Sequence, residues 1–209
     1  MKFITTVEVL LAGTPVGELV GSRQGIYFAY HPQWVAQGFN LSPLNMDFTT
    51  QPQKAADPVL FAGLPGALAD SLPDGWGMLL MDRYFLANHG MDRRHISPLD
   101  RLAYMADRGM GALEYRPVLE HATGEVDIDL AQLYQESQAV YEGDTSSILD
   151  ALRLAGGSPA GARPKVVVAL SPDRTQCNTS FQQLPAGYQH WLVKFRSPTE
   201  HRDTGTISE

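Results

Sequence analysis

Gly156-Gly-Ser-Pro-Ala-Gly-Ala-Arg-Pro-Lys-Val-Val-Val-Ala-Leu170 sets a run of small residues and two prolines ahead of Lys165 and a short apolar strand. Small residues let backbone N–H groups approach a phosphate closely, and a lysine on the adjoining strand can neutralise it. Trp191-Leu-Val-Lys-Phe195 repeats the theme, a short apolar strand with one lysine in it. The chain holds only four lysines, Lys2, Lys54, Lys165 and Lys194, and two of them fall in these strands. The pattern therefore points to part of a nucleotide-binding lobe. General motifs do not match it: Gly156 and Gly161 have P-loop spacing, but Ala162 stands where that motif requires lysine. The glycines at 156, 157 and 161 also miss the G-x-G-x-x-G spacing of the kinase glycine loop. The competing reading is a flexible hairpin connection with a chance lysine behind it.

Working outward, 209 residues leave room for one large domain or two small ones. A hydrophobic content of 44% with 19% charged residues fits a globular protein with a buried core. No apolar run approaches the ~18–20 residues of a membrane helix, and the N-terminus has no signal-peptide layout. One cysteine, Cys177, excludes an intramolecular disulfide and a cysteine metal cluster. A cytoplasmic location and no membrane association are expected.

The net charge of −7 argues against direct nucleic-acid binding. Its distribution says more. Residues 1–150 carry nine basic and nineteen acidic side chains, whereas residues 151–209 carry seven basic and four acidic ones. The positive segment is the one with the glycine-rich run and both strand lysines, which suits an anionic ligand. The six histidines show no i, i+4 pair and no H-E-x-x-H, so no metal site is expected, and no G-x-S-x-G elbow is present.

In chain order, Phe3–Leu11, Val16–Val20 and Ile26–Tyr30 read as three strands separated by turn signals at Ala12–Pro15 and Gly21–Gly25. They predict an antiparallel meander that another layer must cover. Residues 31–58, with prolines at 32, 43, 52 and 58, read as irregular. Apolar residues at helical spacing from Trp76 to Leu86 predict a helix that stops at Gly90, with Asp74 as its cap and Trp76 as a core anchor. A second helix starts at Ser97 with Pro98 in its first position and ends near Ala106–Gly109. Arg108, Gly109 and Gly111 shape that end, and Ala112–Arg116 is a further strand. Residues 118–130 read as an acidic connector, followed by helices over 129–141 and 148–154.

Five pieces in this order resemble the HipA-type serine/threonine kinases of bacterial toxin–antitoxin systems, in their N-terminal half. They are Val16-Gly-Glu-Leu, Ser71-Leu-Pro-Asp-Gly-Trp-Gly, Leu99-Asp-Arg-Leu-Ala with Asp107-Arg-Gly-Met-Gly-Ala-Leu113, Ser158-Pro-Ala-Gly-Ala-Arg-Pro-Lys165, and Trp191-Leu-Val-Lys-Phe195. The resemblance implies an α+β fold: a small antiparallel sheet with helices over 1–120, a connector and helix over 121–145, and part of a kinase-like nucleotide-binding lobe over 146–209. It makes Ser158, Ala160, Gly161, Ala162 and Lys165 a phosphate-covering loop. Lys194 becomes a second phosphate contact and Ser158 a candidate autophosphorylation site. ATP and Mg are the implied cofactors. The implied partners are a HipB-like antitoxin and a protein substrate from the translation machinery.

Kinases of this type continue through a second lobe with the catalytic aspartate, a nearby asparagine and a metal-binding aspartate. No such arrangement follows Lys194 here, so no catalytic residue is assigned in this chain. The expectation is a truncated or split product whose catalytic lobe is encoded separately or lost. Three readings stay open: a kinase portion, a non-catalytic module that docks on an antitoxin or a catalytic chain, and an inert remnant.

Overall fold

A computed structural model of the chain describes residues 4–57, 59–73, 75–119, 128–142, 161, 163–180 and 184–196. The chain divides into two compact units. One comprises Met1–Pro73 with Phe85–Ala122, and the other Asp74–Tyr84 with Thr123–Glu209. The architecture is α+β, with two small antiparallel sheets.

The first unit is built on β1 (Thr6–Leu11), β2 (Thr14–Ser22) and β3 (Gly25–Tyr30), the meander expected from the turn signals. Ala12 and Gly13 form the two-residue connection of the first hairpin, both at positive φ, +48° and +73°. Two positive φ values are what a type I′ turn needs to match the strand twist. Pro15 falls within β2, an interior strand of the sheet, where a proline would break a ladder bond. The register shifts between Val9 and Leu10, and Pro15 pairs with Leu10 at that irregularity, which accommodates the missing N–H. The last strand, β4 (Leu113–Arg116), returns to pair with β1, so the order is β3-β2-β1-β4.

One helix in the 31–58 stretch corrects the expectation of irregular chain there. Pro32 opens α1 (Pro32–Gln37), because a proline at the first helical position loses no intrahelical bond. The short α2 (Gly66–Ala69) contributes the buried Leu68. The expected helix at Ser97 is α4 (Pro98–Met105), closed by a capping box: Asp100 N–H donates to Ser97 Oγ, and the Asp100 carboxylate accepts from Ser97 N–H. That carboxylate also accepts the backbone N–H of Ile4 at 3.0 Å, tying the start of the chain to α4. Leu99, Leu102 and Ala103 then pack with Val7, Val9, Leu19, Phe28 and Tyr115 in one core. The Tyr115 hydroxyl contacts Ser71 Oγ at 2.6 Å and donates to the Leu68 carbonyl at 3.3 Å. Past α4, the Arg108 guanidinium donates to the Tyr104 carbonyl and lies over the Tyr104 ring, 4.9 Å from its centroid.

Residues of α3 (Gly75–His89) divide between the units, Gly75–Tyr84 grouping with the second. There Trp76 and Leu80 join Leu133 and Val140 of α5 (Leu130–Glu142) and Val166, Val168 and Cys177 in a second core. Trp76 is thus the core anchor expected of it. The Arg83 guanidinium caps this arrangement by donating to the Val140 carbonyl at 2.9 Å. The second sheet has the order β6-β5-β7, formed by β5 (Lys165–Leu170), β6 (Cys177–Thr179) and β7 (Gln189–Lys194). The three-residue β6 has no signature in the sequence. Asp74 as a cap, the helix over 148–154 and the glycine-rich run through Ala160 lie outside the described residues.

Among the described residues, no helix is long and apolar enough to cross a membrane.

Candidate functional site

In an antiparallel pair, residues directly opposite each other project from the same face of the sheet. Lys165 is opposite Lys194, Val167 opposite Leu192, and Ala169 opposite His190. One face of the β5–β7 pair therefore carries both strand lysines and His190. The other carries Val166, Val168 and Val193 into the second core.

The two lysines are not equivalent. Lys165 is buried, at 2% exposure, whereas Lys194 is exposed. A buried ammonium is costly unless hydrogen-bonded, and the Lys165 ammonium turns back on its own loop, donating to the Gly161 carbonyl at 2.7 Å. The same carbonyl accepts the Trp76 N–H at 3.3 Å, which fastens the loop to the start of α3. Gly161 is at φ +118°, a conformation closed to most side chains, and a Cβ there would stand 3.0 Å from Lys165 Nζ. The small residue at 161 thus answers to two constraints, its backbone angle and the ammonium beside it.

Directly opposed like charges destabilise a strand pair. Lys165 is buried and engaged at Gly161, so Lys194 is the lysine of this face that solvent and an anion can reach. The arrangement fits a polyphosphate. Among the described residues, no three His, Cys, Asp or Glu side chains come together as a metal site.

Of the residues singled out from the sequence, Gly161, Lys165 and Lys194 are brought together in one unit. Ser158, Ala160 and Ala162 lie outside the described residues. Sequence reasoning missed Ser180 and His190. The Ser180 hydroxyl and His190 Nδ1 are hydrogen-bonded, linking the end of β6 to β7 across the width of β5. The signal available was the alternation of His190, Leu192 and Lys194 in β7, which puts the three on one face once a strand is granted.

The sequence model of the HipA N-terminal domain family matches residues 7–116, more than half of the chain. The chain belongs to this HipA N-terminal domain family. The match spans the first sheet from β1 to β4 and ends before both lysines. No match was found among curated proteins.

Proposed function

We propose that the chain is the N-terminal portion of a HipA-like serine/threonine kinase, in which the Lys165–Lys194 face holds the phosphates of ATP. The observation that carries this reading is the register of β5 against β7, which sets a buried lysine opposite an exposed one on a single face. Hydrogen bonds to charged groups contribute about 1.5–3 kcal/mol each. Two of them balance only part of the roughly 4–15 kcal/mol cost of immobilising a ligand. A catalytic lobe of the HipA type would supply the remaining walls, the Mg²⁺ ligands and the group that activates the acceptor hydroxyl. Phosphorylation of a translation-machinery protein and a toxin role follow from that assembly. Ser158 would be its autophosphorylation site.

Titration of the chain with ATP at low ionic strength tests the phosphate assignment. Affinity no better than millimolar, about −4 kcal/mol, is expected, and it should weaken with added salt because exposed ionic contacts are screened. Lys194→Met should weaken it. Micromolar binding unaffected by Lys194→Met would place the site elsewhere.

A second reading makes the chain a non-catalytic module that docks on a HipB-like antitoxin or a separate catalytic chain. It draws on the family match, which covers residues 7–116 and none of the lysine face. Co-expression with a candidate partner tests it: co-elution that survives Lys194→Met and Lys165→Met would favour docking through the first unit.

A further inference from the structure

The face that carries the lysines continues along β7. His190, Leu192 and Lys194 alternate on it, and all three are exposed, Leu192 at 41%. Alternate residues of a strand are about 6.6–6.8 Å apart, so Lys194 and His190 stand about 13 Å apart with Leu192 midway. An ammonium, an apolar surface and an imidazole are thus spaced along one exposed line. That is the order of chemistry in an extended nucleoside triphosphate: phosphates, then the ribose with its flat base, then the polar edge of that base.

His190 is held in place for such a contact. Its Nδ1 is engaged by Ser180, which is buried at 7% exposure. The bond crosses β5, where the residue opposite His190 is Ala169, a small residue with no exposed surface. When the serine hydroxyl donates to Nδ1, the ring proton resides on Nε2, so the free edge of the imidazole presents an N–H donor. Protonation of the ring leaves that donor in place, since both nitrogens of the cation carry hydrogen. Nε2 is the ring nitrogen left to face a ligand: it donates in that tautomer and in the cation, and accepts when Nδ1 carries the proton toward Ser180.

We propose that His190, oriented by Ser180, is a specificity-determining contact for the base of a nucleoside triphosphate: the phosphates lie on Lys194, the ring packs on Leu192, and Nε2 hydrogen-bonds the polar edge of the ring. The inference rests on the phosphate assignment above and adds to it the end of the site that reads the base. Ser180 is a positioning residue that acts through His190.

Inorganic triphosphate and ATP share the phosphates and differ in the nucleoside, so the pair of ligands separates the two ends of the site. Binding of each is followed by heteronuclear NMR on the full chain, wild type and variants. His190→Ala should weaken ATP about three- to tenfold, the worth of one neutral hydrogen bond, and leave triphosphate unchanged. His190→Gln, which keeps an N–H donor, should restore part of the difference. Ser180→Ala should weaken ATP in the same sense but less. Lys194→Met should weaken both ligands alike. If Lys194→Met affects both ligands but His190→Ala shifts neither or shifts both equally, the base contact is wrong while the phosphate site stands. If Lys194→Met affects neither ligand, the phosphate reading fails and the base contact falls with it.

Discussion

Lys165 and Lys194 stand directly opposite each other across β5 and β7, so two cationic side chains share one face of a three-stranded sheet. A strand pair built for stability alone would place an acid at one of these positions, and this sets stability against binding. Lys194→Glu should stabilise the ligand-free chain by about 0.2–1 kcal/mol, the usual worth of a cross-strand charge pair. The same change should eliminate triphosphate binding. Urea denaturation at low and high salt checks the first effect, which should shrink as salt rises. Lower stability for the variant at low salt would show that the two ammonium groups are already neutralised by their surroundings.

Asp100 closes the capping box of α4 and also holds the Ile4 N–H, while fully buried. Asp100→Ala should therefore cost about 2 kcal/mol or more, since it removes a cap and strands a distant donor. Ser97→Ala removes only the cap oxygen and should cost about 1 kcal/mol. Equal losses in chemical denaturation would mean that the bond to Ile4 carries no weight.

Burial pushes the Tyr115 phenol above its ordinary value, and the contact with Ser71 opposes this only in part. Tyr30 is raised by burial as well, with the Leu41 N–H pulling the other way. The folded chain thus keeps protons that the unfolded chain loses above the ordinary phenol pKa of ~10. Stability should be undiminished by these groups below that pH and fall above it, with Tyr115 contributing a slope of up to about 1.4 kcal/mol per pH unit. Denaturation midpoints between pH 8 and 11 should show the fall, and Tyr115→Phe should make it shallower. An unchanged slope in that variant would assign the effect to other groups.

A Cβ at Gly17 would stand 2.4 Å from the Ala29 carbonyl oxygen and 2.6 Å from the Phe28 ring. Neither the backbone of β3 nor a fully buried ring yields easily, so Gly17→Ala should cost about 1–3 kcal/mol or more through overpacking. Gly13→Ala meets no neighbour and pays only for its positive φ, about 1–2 kcal/mol. Thermal unfolding of the two variants separates crowding from backbone strain, and Gly17→Ala should lose its cooperative transition first.

Local rules made much of the first unit legible. The strands of the meander follow from apolar runs cut by Ala12-Gly13 and Gly21–Gly25, and α4 follows from Ser97-Pro98 ahead of helical periodicity. Reading failed where one residue type permits opposite structures. Pro32 counted as a breaker, yet at the first helical position it starts α1. Of the candidate site, Lys165 and Lys194 were visible as lysines on apolar strands. Their opposition was not, because it depends on which strands become neighbours and in what register. The Ser180–His190 bond is hidden for the same reason: it spans a third strand that the sequence does not place between them.

The return of β4 to pair with β1 has a consequence for synthesis on the ribosome. The sheet begun by Thr6–Leu11 gains its last strand only when Leu113–Arg116 emerges, after residues 74–84 of the other unit have already passed. Those eleven residues, with Trp76 and Leu80 among them, must wait exposed until α5 and β5 arrive to cover them. Neither unit is one uninterrupted length of chain, so a gene cut anywhere between residues 74 and 116 leaves both unfinished. The unit matched by the family can complete itself first, and the lysine face is the last part of the described chain to be made.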